Sequence, residues 1–172
     1  MRRRNSAKRW VPLHQSGIPA VILRNGWYTE NYMASVPPAL AHGVLLGSAG
    51  TGRIASAARR DYAEAAAAVL TSDGHAGTTY ELAGDSAYTL ADLAAEVSRQ
   101  SGTAVTYTDL PPADFTAALL AAGLPEGLAN LLADSDAGAA QGALFDDGRQ
   151  LSRLIGRPTT PLASSVAAAL AS

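Results

Sequence analysis

Cysteine is absent from the 172 residues, which excludes disulfides, Cys-ligated zinc, iron–sulfur clusters and thiol nucleophiles together. Lysine is almost absent: Lys8 is the single one, and the other 12 cations are arginine. None of the tyrosines (Tyr28, Tyr32, Tyr62, Tyr80, Tyr88, Tyr107) has lysine four residues on. A Tyr-x-x-x-Lys pair, in which the lysine makes the phenol a better acid, is therefore excluded. No G-x-S-x-G elbow offers a serine nucleophile. No apolar run approaches the roughly 18 to 20 residues that a membrane-spanning helix needs. A net charge of −2 argues against a nucleic-acid partner.

With 48% apolar residues, the chain suits one domain with a core. The charge is uneven. Six of the 13 cations lie in residues 1–29, which hold no acid, and from Glu30 onward 7 basic residues face 15 acidic ones. The opening Met1-Arg2-Arg3-Arg4 through Lys8-Arg9-Trp10 is unlike everything after it, and it lacks the apolar stretch of a signal peptide. Residues 1–15 are read as an atypical basic stretch, disordered or a miscalled start, with residues 16–172 as the folded unit.

Ala20-Val21-Ile22-Leu23 is an unbroken apolar run after the turn Ser16–Pro19, the pattern of a strand covered on both faces in a parallel sheet. Val44–Gly47 and Arg53–Ala55 flank the glycine-rich Gly47–Gly52 and are expected to pair as a hairpin. Tyr62, Ala65, Ala66, Val69 and Leu70 follow helical spacing. Thr79–Leu82 is a strand candidate. Thr89 and Asp92 form a capping box, Leu90, Leu93, Ala94 and Val97 the buried stripe behind it, and Gly102 the stop. Val105–Thr108 reads as a strand. Pro111 and Pro112 suit a first helical turn, with Phe115, Ala118, Leu119 and Ala122 as its stripe. Leu124, Leu128, Leu131 and Leu132 predict a further buried stripe, and short helices are expected at Arg149–Leu154 and Ala163–Leu170. The order is that of an α/β chain with a helical tail.

Several motifs fail on spacing. Gly47–Gly52 reads G-x-x-G-x-G before an apolar stretch, which fits neither a phosphate loop nor a dinucleotide fingerprint. Asp134-Ser135-Asp136 starts like a calcium loop, but Ala139 and Phe145 stand where glycine and glutamate are required. His14, His42 and His75 have no ligand-type spacing and are expected at the surface or in turns. Asp146-Asp147 is expected to start a helix. What remains is Leu23-Arg24-Asn25-Gly26-Trp27-Tyr28-Thr29-Glu30-Asn31-Tyr32, running on from the first strand. Such a loop either stacks on a flat ring while hydrogen-bonding an amide or ribose, or simply anchors itself on the core through Trp27 and Tyr32. The residues alone leave both readings open.

The segment Ile22–Tyr32 closely resembles the loop of the NAD(P)H-dependent type 2 quinone oxidoreductases, in the NmrA-like branch of the atypical short-chain dehydrogenases. The likeness continues through Gly50–Ser56, Arg60–Ala63, Tyr80–Leu90, Leu131–Asp136 and Leu154–Thr160, covering about residues 16 to 170. It implies the C-terminal part of a Rossmann-type NAD(P)-binding fold with a small α/β substrate lobe, an NADPH or NADH cofactor, and two-electron reduction of a quinone in the cytoplasm. Through it, Asn25, Gly26, Trp27, Tyr28, Thr29 and Glu30 are expected along the nicotinamide half of the cofactor. Arg53 stands where the family has a basic residue. No metal, membrane or nucleic acid is implied, and a homo-oligomer stays open. No acid–base catalyst is evident; direct hydride transfer needs mainly proximity and orientation. The family's glycine-rich βα turn has no counterpart in the chain. The expectation is therefore a truncated start, with weak or no activity alone. The alternatives are an NmrA-type dinucleotide sensor without turnover, or a non-functional fragment.

Overall fold

Local chemistry sets the best-marked element. Thr89 Oγ1 accepts from Asp92 N at 3.1 Å while Asp92 Oδ2 accepts from Thr89 N at 2.8 Å, so two orphan donors at a helix start are satisfied reciprocally. The helix that follows buries Leu90, Leu93, Ala94 and Val97, and Gly102 ends it with φ +73°, a left-handed cap that glycine adopts without steric cost. The computed structural model describes residues 15–171. The basic opening stretch, with Trp10 and His14, lies outside them.

In chain order the elements are β1 (Ile22–Asn25), α1 (Thr29–Met33), α2 (Val36–His42), β2 (Val44–Gly47), α3 (Arg59–Thr71), β3 (Thr79–Leu82), α4 (Leu90–Ser101), β4 (Thr106–Asp109), α5 (Pro112–Ala121), α6 (Glu126–Ala140), α7 (Gln150–Ile155) and α8 (Leu162–Leu170). The strands pair in parallel as two ladders, β1 with β3 and β2 with β4. Each ladder is bridged by a helical crossover, as parallel pairing requires. One core gathers Val36, Leu45, Ile54, Leu90, Leu93, Val97 and Val166; a second gathers Ala57, Tyr62, Ala65, Leu82 and Leu151. The α/β class with parallel strands holds as the sequence predicts.

Five expectations need correction. Regular β1 spans Ile22–Asn25 rather than Ala20–Leu23, and it is not covered on both faces. Arg24 stands opposite Glu81 in the ladder and forms an ion pair with it at 2.8 Å, and Asn25 is exposed. Gly47–Gly52 closes no hairpin, because β2 takes β4 as its partner and Ile54 instead bridges Tyr88 antiparallel. The leucine stripe of α6 is only partly buried. Leu128 and Leu131 are 43% and 55% exposed, while Ala129, Ala133, Asp136 and Ala139 are buried. Small side chains win that face because α6 packs close: a Cβ added at Gly52 would collide with the Ala139 carbonyl. Leu70 likewise ends outside, on the last turn of α3. Asp146 starts no helix; its Oδ1 accepts from Gly148 N at 2.8 Å, an Asx-type turn before α7 begins at Gln150.

Among the described residues no helix is long and apolar enough to cross a membrane, and no group of three ligating side chains gathers for a metal. Asp134–Asp136 lies inside α6, so the failed calcium motif has no loop to form. His42 ends α2 exposed, and His75 sits in the turn before β3, within 2.7 Å of the Tyr80 hydroxyl.

Candidate nicotinamide-facing loop

The parallel ladder of β1 and β3 ends at the pair Asn25 and Leu82. Loops beyond the carboxyl ends of parallel strands are where α/β folds bind ligands. The chain leaves β1 through Gly26, whose N–H donates to the Leu82 carbonyl at 2.8 Å. The backbone is then triangulated. Ala57 N donates to Trp27 O at 3.1 Å, Thr29 N donates to Ala57 O at 3.0 Å, and the Tyr62 hydroxyl donates to Trp27 O at 3.3 Å. Tyr62 is buried, and burial raises its pKa well above the ordinary phenol range, so it stays a neutral donor. These bonds hold the loop without using its exposed side chains.

The sequence reads this segment as a loop to Tyr32; in the structure Thr29–Met33 turns as α1, and α2 follows with prolines in its first turn and Gly43 at its end. The Pro37-Pro38 pair before Gly43 is the signal that marks α2. The expected site residues therefore divide. Thr29 is buried, its Oγ1 lying 2.8 Å from Ser56 Oγ, which lies 2.6 Å from the Tyr88 hydroxyl. Burial pushes the Tyr88 phenol up to about 12, opposed by its bonds to Ser56 and Thr29. Glu30 turns away and accepts from the Arg59 N–H with both oxygens, at 2.9 and 3.1 Å, serving the orphan donors at the start of α3. Arg59 also reaches Asn31 Oδ1 at 3.1 Å and lies 4.6 Å over the Tyr28 ring.

Asn25 and Gly26 remain exposed, with Trp27 and Tyr28 half-buried. Asn25 Nδ2 donates to the Tyr28 hydroxyl at 3.3 Å. Trp27 packs on the core 6.3 Å from the Tyr32 ring, yet its indole Nε1 is buried with no hydrogen-bond partner. An orphaned donor of this kind is uncommon and calls for a reason. The anchoring reading holds for Trp27 and Tyr32, both packed on the core, while Asn25 and Gly26 are exposed. Arg53, the basic residue that the resemblance singles out, lies outside the 25–30 segment. Its guanidinium donates to Ala87 O at 3.0 Å and lies 5.9 Å over the Phe145 ring. The glycine-rich segment offers no phosphate cradle either. Ser48 N–H is taken by Asp136 at 3.0 Å, Ala49 N–H by Tyr107 at 3.1 Å and Gly50 N–H by Asp109 at 2.7 Å. These interlocks, like the hydroxyl chain behind Thr29, join residues far apart in sequence, and no local pattern announces them.

No family model matches the chain. Quinone oxidoreductase 2 of Escherichia coli is 63% identical over 154 residues, covering 90% of this chain and 54% of that protein. The crystal structure of the Escherichia coli NADPH-dependent enzyme complexed with NADPH superposes with a TM-score of 0.92 at 59% identity, over 95% of this chain and 58% of that one. Over the matched stretch, the chain is similar to the type 2 quinone oxidoreductases. A more distant member of the neighbourhood is a triphenylmethane reductase of a Citrobacter species, at 30% identity and TM-score 0.89, covering 94% of this chain and 56% of that one. The chain spans a little over half the length of these relatives. The chain shares the Rossmann-like parallel α/β fold of these reductases over the matched stretch.

Proposed function

We propose that this chain takes part in NADPH-dependent quinone reduction, with Asn25, Gly26, Trp27 and Tyr28 facing the nicotinamide and Thr29 and Glu30 positioning them. The observation that carries the reading is an exposed amide and glycine at the carboxyl end of a parallel strand, beside an orphaned indole donor. The residues present fit the nicotinamide half of the cofactor through the exposed Asn25 amide, which can exchange hydrogen bonds with a carboxamide, beside the bare backbone of Gly26. When bound, NADPH supplies a hydride, and with one proton from water the quinone becomes hydroquinone and the cofactor NADP+. The loop supplies no strong acid, so its contribution is orientation and the exclusion of water from one face. Gly26 lets the backbone turn against Leu82 O, and Tyr62 fixes Trp27 through its carbonyl. With the reading go a cytoplasmic location and no nucleic-acid partner. NADPH absorbance at 340 nm, followed with and without 1,4-benzoquinone, tests it. Oxidation should depend on the quinone and fall at least tenfold in Trp27→Ala. Turnover indifferent to that substitution would remove the loop from the reaction.

A further inference from the structure

A concave feature opens at the far end of the loop, beyond Asn25–Tyr28. A cavity of about 300 Å³ sits between α1, α2, β2, α4, α5 and α6, with Asn31 and Tyr32 in its wall. Most of its wall is apolar, including Leu45, Phe115, Leu119 and Leu132, and its buried polar members are Tyr32 and Asp136. None of Asn25–Tyr28 lines it. The volume falls at the lower end of small-molecule sites, and roughly 150 Å³ already admits a benzene ring.

Asp136 gives the cavity its chemistry. The residue is 4% exposed. Its Oδ1 accepts from the Tyr32 hydroxyl at 3.1 Å and its Oδ2 from the Ser48 N–H at 3.0 Å. Among the described residues no arginine, lysine or histidine pairs with it. A carboxyl group has about four acceptor positions; two accept from Tyr32 and Ser48, and Asp136 lines an otherwise largely apolar space. Burial holds this carboxyl above its usual range, with Asp109 adding to the effect and the two hydrogen bonds opposing it. A protonated amine entering here would lose its own hydration, a penalty that pairing often fails to recover. A neutral donor is desolvated at far lower cost.

We propose that this cavity binds a one- or two-ring arene bearing a hydroxyl group, its rings against Phe115 and Leu119 and its O–H donated to Asp136. The site does not rest on the quinone reading, and its test runs without cofactor. Calorimetric titration of the full chain uses 2-naphthol, 2-methoxynaphthalene and 2-naphthoate as probes. Saturable one-site binding of 2-naphthol is expected, with 2-methoxynaphthalene about tenfold weaker for want of one hydrogen bond. The anionic 2-naphthoate should not bind, because Asp136 and Asp109 repel it. Leu119→Trp fills the space and should abolish 2-naphthol binding while the chain still melts cooperatively. Ala122→Phe, at an exposed position on the same wall, repeats the block should Leu119→Trp not fold. Equal binding of 2-naphthol and 2-methoxynaphthalene, binding that survives both filled variants, or no saturable binding would each overturn the assignment.

Discussion

A methyl group at position 26 tests how tightly the loop is built. An ideal Cβ on Gly26 would stand 2.9 Å from the Leu82 carbonyl oxygen and 3.2 Å from the Tyr62 hydroxyl. The first obstacle is backbone, and it is the acceptor of the Gly26 N–H at 2.8 Å. Gly26 is not among the residues with positive φ, so alanine meets no conformational penalty and the effect is purely steric. Moving the loop away from Leu82 O weakens a hydrogen bond worth about 1 kcal/mol. Overpacking adds about 1–3 kcal/mol, and the reduced entropy of the unfolded chain returns somewhat under 1 kcal/mol. The net loss is about 2 kcal/mol, which at roughly 2–4 °C per kcal/mol for a chain of this size lowers Tm by roughly 4–8 °C. Gly127→Ala is the control. It lies in α6 with nothing within 4 Å of its added Cβ, and should gain roughly 0.5–1 kcal/mol from helix propensity. Calorimetric melts of the two variants should shift in opposite directions. A Gly26→Ala chain that melts with the parent would refute the close approach.

Two further outcomes follow from buried and capping carboxylates. Asp61 has no exposed surface and accepts from Arg157 at 2.8 Å, from Thr160 N at 2.7 Å and from Thr160 Oγ1 at 2.9 Å; Asp61→Ala should cost about 3–5 kcal/mol in urea unfolding, and a cost below 1 kcal/mol would show these bonds to be unimportant. Asp92 is held below its ordinary value of 3.8 by the N–H and O–H of Thr89. Its capping contribution, about 1 kcal/mol, is therefore present above that value and lost as pH falls through the lower folded one. The stability difference between parent and Asp92→Ala, measured by urea unfolding from pH 7 downward, should shrink below about pH 4; a difference that grows there would reverse the sign.

What the sequence made legible was local or periodic. Thr89, Asp92 and Gly102 mark α4 because capping is short-range chemistry, and Thr79–Leu82 stands as read because alternation and flanking turns bound it. The expected hairpin at Gly47–Gly52 fails because strand partners are chosen across distance: Val44 meets Thr106, 62 positions away, and no spacing rule near glycine encodes that. On α6 the leucines advertise a buried face, but the close approach of Gly52 favours alanine, and Leu131 is left in solvent. In the loop, resemblance picked the segment as a unit. Only the fold divides it, giving Glu30 to the start of α3 and Thr29 to Ser56 and Tyr88. In the sequence, Asp136 stands in a failed calcium motif and at the end of the matched stretch Leu131–Asp136, and neither marks it as a buried, lone carboxylate. Its partners Tyr32 and Ser48 lie 104 and 88 positions away.

The proposed placement of Trp27 beside the nicotinamide is tested directly by fluorescence. The chain has two tryptophans, so Trp10→Phe leaves Trp27 as the sole indole. Excited at 295 nm and titrated with NADPH, this chain should lose tryptophan emission saturably while dihydronicotinamide emission near 450 nm rises. Asn25→Ala should weaken that transfer by about tenfold in NADPH concentration, the value of one lost hydrogen bond. Emission that falls only in proportion to NADPH absorbance, with no saturation and no rise near 450 nm, would contradict the placement of the loop against the cofactor.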